Sequence, residues 1–96
     1  MARWVVVVQF GYGDQYKVEE AARFEATPEQ ARATLYEFAC THRPRMGLRQ
    51  QRRDVYRMGD GDAYYVHIEG MMSTHRVLYR LAELAWSTDS AAEYRQ

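Results

Sequence analysis

The chain has 96 residues, 47% of them hydrophobic and 27% charged, with 13 basic residues balanced by 13 acidic ones. That length bounds one domain, residues 1–96, with a modest core, and the composition excludes a disordered chain. One cysteine, Cys40, excludes an intrachain disulfide framework and fits a reducing compartment.

The charge is spread unevenly. Residues 1–40 hold 4 basic and 6 acidic side chains, residues 41–58 hold 6 and 1, and residues 59–96 hold 3 and 6. A basic segment therefore sits in the middle of a weakly acidic chain. Twelve of the basic residues are arginines, against the single Lys17, and arginine suits bidentate contacts to anions. The apolar run Trp4 to Val8 is too short for a signal peptide or a membrane span. The expectation is a cytoplasmic protein with no membrane association.

Arg3 to Gly11 reads as a strand with Trp4, Val6, Val8 and Phe10 on one face and Val5, Val7 and Gln9 on the other. Four consecutive valines suggest burial on both sides, in a central strand or beneath a partner. After a turn, Tyr16 to Phe24 reads as a second strand. Tyr16, Val18, Ala22 and Phe24 are expected inside, and Lys17, Glu19 and Arg23 outside. Glu20 does not fit that alternation.

Thr27-Pro28-Glu29-Gln30 announces a helix. Thr27 caps it, Pro28 takes the first helical position, and Gln30 completes a capping box. The helix is expected to run to about Thr41 with Ala31, Leu35, Phe38 and Ala39 as its apolar stripe. His42 and Arg43 suit the negative end of its dipole, and Pro44 stops it.

Residues 45–48 lead into a hairpin from Arg49 to Gly70, centred on Gly59-Asp60-Gly61-Asp62. Asp60-Gly61 is expected as a two-residue type I′ loop. The register then sets Met58 opposite Ala63, Tyr56 opposite Tyr65, Val55 opposite Val66, Asp54 opposite His67, and Arg52 opposite Glu69. Tyr64, Val66, Ile68 and Val55 share one face with the stems of Arg53 and Arg57. Opposite charges and an aromatic pair share the other.

Beyond Gly70, Ser73 is expected to cap a second helix, with Met72 stapled onto Val77. This helix would run to about Trp86 and bury Val77, Leu78, Leu81, Leu84 and Ala85. Residues 88–96 read as a polar tail. Gly11 to Val18 and Gly59 to Val66 both read Gly-x-Gly-Asp-x-Tyr-x-Val, 48 positions apart. The chain is therefore expected to be a duplicated β-hairpin–helix, pseudo-repeats 1–43 and 44–87. The fold class is α+β, two-layer, ββαββα: a four-stranded antiparallel sheet with two helices on one face.

The other face would be open, presenting Val5, Val7, Tyr56, Tyr65, Arg52 and His67, which is too apolar to be left in water. Its use as a non-enzymatic interaction surface is the leading expectation, with another protein or a second copy as partner. Val5 and Val7 are the candidate dimer face. The alternative is a single-stranded nucleic-acid-binding domain, with Arg45, Arg49, Arg52, Tyr56, Tyr65 and His67 supplying charge and stacking.

A second alternative is a small enzyme using Asp54 and His67 as an acid/base pair. No nucleophile motif, phosphate loop or dinucleotide fingerprint accompanies that pair, so no cofactor is expected. Cys40, His42, His67, His75 and Asp54 are the available metal ligands. Cys40-Thr41-His42 lacks a second cluster at zinc spacing, so no metal site is expected.

Overall fold

The structure, a computed structural model, describes residues 1–12, 15–43, 50–71 and 73–88. Five strands and one helix follow in the order β1 (Ala2–Tyr12), β2 (Gln15–Ala26), α1 (Pro28–Thr41), β3 (Gln50–Met58), β4 (Ala63–Gly70) and β5 (Thr74–Glu83). All five strands form one sheet in the order β2-β1-β5-β4-β3, with every neighbouring pair antiparallel. The helix covers one face. Among the described residues, no helix is long and apolar enough to cross a membrane.

This corrects the expected ββαββα duplication. The expected second helix is strand β5, so among the described residues the sheet has five strands and one helix, α1, packs on it. The apolar residues at 77, 78 and 81 satisfy a helical stripe, but 77, 79 and 81 also alternate with Arg76, Leu78 and Arg80. Val77 and Tyr79 are buried, and Leu78 and Arg80 lie on the opposite face. β1 decides between the two periods. Its valines need hydrogen-bonded neighbours on both edges, and β5 supplies the second, from Trp4↔Glu83 to Phe10↔Val77.

Ser73 is thus not a helix cap. Its carbonyl accepts the Gly70 N–H at 2.8 Å in the turn joining β4 to β5. The expected Met72 staple lies outside the described residues. The matched motifs also diverge in position. Val66 is buried, but its counterpart Val18 is 63% exposed.

Strand β2 explains why Glu20 defied alternation. Pairing with β1 passes from Val6↔Ala22 directly to Val7↔Glu20, leaving Ala21 as the extra residue of a β-bulge. Beyond it the faces exchange: Glu19 pairs with Val8 and Lys17 with Phe10 on the helix side, and Val18 pairs with Gln9 on the open side. Val18 therefore lies on the open face and Lys17 and Glu19 on the helix-side face, the reverse of the expected sides, and all three are exposed. Glu20 now shares the open face with Arg23 and accepts its Nε and Nη2 at 2.8 and 3.0 Å.

The core lies between sheet and helix. Val6, Val8, Phe10, Tyr64, Val66, Ile68, Val77 and Tyr79 meet Leu35 and Ala39. Trp4 closes a second cluster with Ala26 and Ala31 and donates its indole N–H to the Ala26 carbonyl at 2.9 Å. The helix start matches its sequence signature: Thr27 Oγ1 accepts the Gln30 N–H and the Gln30 side chain accepts the Thr27 N–H.

Its end differs. The expected compensating cations, His42 and Arg43, are not in the last turn. Arg53 reaches over from β3 instead, donating to the Ala39 carbonyl at 2.7 Å and to the His42 carbonyl. That places a cation on the negative end of the helix dipole. It also accounts for an arginine on the inward face.

The β3–β4 register is the expected one, from Met58↔Ala63 to Arg52↔Glu69. Its loop is not the expected type. Gly59 (φ 59°) and Gly61 (φ 96°) take left-handed conformations and, among the described residues, no non-glycine residue does, so Asp60 does not adopt type I′ geometry. Arg32 on α1 holds this loop through Asp62 at 3.0 Å.

Candidate functional site: the open face of the sheet

The face opposite α1 is built by strand alternation. Three of its rows cross the sheet. Glu20, Val7, Arg80, Ala63 and Met58 form one, and Val18, Gln9, Leu78, Tyr65 and Tyr56 the next. Arg76, His67 and Asp54 begin the third on β5. A shallow depression of about 650 Å³ is bordered by Gln9, Met58, Tyr65, Arg76 and Leu78. A second one, bordered by Tyr56, Tyr65, His67 and Arg76, adjoins it.

The aromatic centre is a pair. Tyr56 and Tyr65 lie across β3 and β4 with ring centroids 5.9 Å apart and planes inclined by 33°. Tyr65 is half-buried beside Leu78, whereas Tyr56 is 55% exposed. A ring in that position offers a flat apolar surface to whatever docks there.

The charges divide into bridged and free. Arg3 meets Glu25 at 3.5 Å, Arg23 meets Glu20 at 2.8 Å, and Arg52 meets Asp54 at 3.2 Å. Arg76 and Arg80 are exposed, and among the described residues neither has an ion pair or hydrogen bond. Glu69, opposite Thr74 and Arg52 in the register, is the face's one acid without an ion pair among the described residues.

Of the residues singled out in the sequence, Arg52, Tyr56, Tyr65, His67, Val5 and Val7 all reach this face. Arg45 and Arg49 lie outside the described residues. Asp54 and His67 are cross-strand neighbours as expected, but the Asp54 carboxylate is engaged by Arg52, and no hydrogen bond joins it to His67. Arg76, Leu78 and Arg80 were missed. The signal was their alternation with Val77 and Tyr79, masked by the competing helical reading.

The remaining titratable groups sit elsewhere. His42 lies behind the sheet with Nδ1 2.9 Å from the Tyr79 hydroxyl. Burial, then the Arg53 charge, holds its pKa below the ordinary histidine value, against a weaker pull from Glu19. Burial pushes the Tyr79 phenol up, with Arg53 opposing. Cys40 is half-buried on α1, and hydrogen bonding to it raises the Tyr36 phenol. His75 Nε2 is 2.9 Å from Ser73 Oγ. Among the described residues, no three His, Cys, Asp or Glu side chains converge to hold a metal ion.

No protein-family model, curated protein or solved structure matches the chain.

Proposed function

We propose that the chain is a non-enzymatic interaction module whose partner lies on the open face of the sheet. One observation carries this reading: Leu78 and the Tyr56–Tyr65 pair lie between two arginines that have no partner among the described residues. A surface that is apolar at its centre and charged at its margin is what recognition interfaces are made of. The free thiol of Cys40 supports a reducing, cytoplasmic setting.

A second reading concerns the far end of the face. Val18 stands exposed on the edge strand β2, one row from Val7 and two rows from Val5. A second copy of the chain covering these valines would give a homodimer.

Residue-resolved NMR of the ¹⁵N-labelled chain tests the proposal under dilution, with polyglutamate and with oligothymidylate. The expected result is a set of shifts on Val7, Tyr65, Leu78 and Arg80 under at least one condition. Shifts confined to α1, or none under any condition, would overturn it.

A further inference from the structure

We infer that the open face binds single-stranded nucleic acid, with bases stacking on Tyr56 and Tyr65 and phosphates meeting Arg76 and Arg80. This rests on the reading that the open face is the binding surface, and it names the occupant.

Charge complementarity selects the partner. Arg3, Arg23 and Arg52 already have carboxylates at 3.5, 2.8 and 3.2 Å, so their charge is largely spent within the face. Arg76 and Arg80 have none among the described residues. They point the same way from the central strand β5, four residues apart, which is roughly 13 Å at about 3.3 Å per residue. Leu78 lies midway, and its register partner is Tyr65, with Tyr56 beyond. Two free cations thus stand on either side of a pair of aromatic rings, one strand spacing away. A single strand supplies both complements, phosphates at its backbone and flat bases at its side. A duplex keeps its bases stacked inside and offers only the phosphates.

The other occupants fit less well. A second copy would set four such guanidiniums from the two faces against two Glu69 carboxylates, since the other acids of the face are already bridged. Burying unpaired charge at the centre of an interface opposes association. An acidic peptide would satisfy the arginines and leave the tyrosine planes without a counterpart. Glu69 repels phosphate beyond Arg76, which directs the strand from Arg76 toward Arg80.

The test uses the full chain and labelled oligothymidylate, titrated at several salt concentrations. Binding at low salt should weaken with a log–log slope of roughly −1.4, at about 0.7 per phosphate for two phosphates. The Arg76→Gln, Arg80→Gln double variant should flatten that slope toward zero. Both side chains are exposed, so its far-UV circular dichroism should match the parent. Tyr56→Leu should weaken binding about tenfold and leave the slope unchanged.

Absence of binding at low salt, or binding indifferent to the arginine and tyrosine changes, would overturn the inference. Open-face shifts with polyglutamate or on dilution, without any from oligothymidylate, would overturn the nucleic-acid partner and leave the open-face reading standing. Oligothymidylate shifts confined to α1, with no open-face shift under the other two conditions, would overturn both.

Discussion

The Tyr79 hydroxyl on β5 lies 2.9 Å from Nδ1 of His42, the residue that caps the C-terminus of α1. Tyr79 is fully buried, and its phenol, raised by burial, stays protonated. The same hydroxyl lies 3.4 Å from the His42 carbonyl, to which it donates, and the imidazole tautomer sets the direction of its bond to Nδ1. Tyr79→Phe should remove the hydroxyl, leave Nδ1 without that partner and cost about 1–2 kcal/mol. Urea denaturation measures it. An unchanged midpoint at unchanged slope would show that the bond contributes nothing to folding.

The same pair makes stability depend on pH. The folded-state pKa of His42 is lowered, so the folded chain favours the neutral ring. Between that value and the unfolded value of about 6.5, the unfolded chain binds more protons, and stability rises with pH. The full contribution is present above the unfolded pKa and is lost as pH falls toward the lowered one. Arg53, Glu19 and Tyr79 are the groups that act on this ring. Denaturation of the parent and of His42→Gln at neutral and mildly acidic pH should show a steeper acid loss in the parent. Parallel losses would remove His42 as the cause.

Arg53 joins β3 to the end of α1. Arg53→Met keeps much of the stem and removes the donors to the Ala39 and His42 carbonyls. The expected cost is about 2 kcal/mol. Removing the Arg53 charge should also move the His42 titration upward, because that charge contributes to holding it down. Ring-proton NMR on the variant reads the second effect independently of the first. A His42 titration that stays in place would mean that burial alone sets it.

Deletion of Ala21 isolates the bulge. The residues on either side of it, Glu20 and Ala22, already pair with Val7 and Val6. The shortened strand should keep every face assignment, lose only the contact of Ala21 with the core, and cost about 1–2 kcal/mol. Deletion of Arg23 removes the residue facing Val5 and forces re-registration on one side of the gap. It should be more damaging than loss of Ala21. Equal effects would contradict the bulge.

Local chemistry made much of this fold readable. Thr27, Pro28 and Gln30 mark the helix start because each satisfies a specific requirement of a helix N-terminus. The β3–β4 register follows from paired charges and tyrosines flanking a short glycine-rich loop. β5 was hidden because its apolar residues serve either period, and only the unfilled edge of β1 decides between them. The bulge was hidden because a single unpaired residue leaves no compositional mark. Missing β5 also cost the candidate site Arg76 and Arg80, whereas Arg52, Tyr56, Tyr65 and His67 could be placed on the open face from alternation alone.

The position of β5 has a consequence for how the chain folds as it is made. The β1–β2 and β3–β4 hairpins are each local in sequence, but they are not paired with each other; within the sheet β5 alone joins them, while α1 packs across both. β5 emerges from the ribosome after both. Until then the valine-rich edge of β1 has no neighbour on that side, a template for pairing with other nascent chains. Joining Trp4 to Glu83 also closes nearly the whole described chain into one loop, which slows the final step relative to hairpin formation. Chaperone dependence during synthesis should accordingly centre on that exposed edge, and relieving it requires only that β5 be supplied.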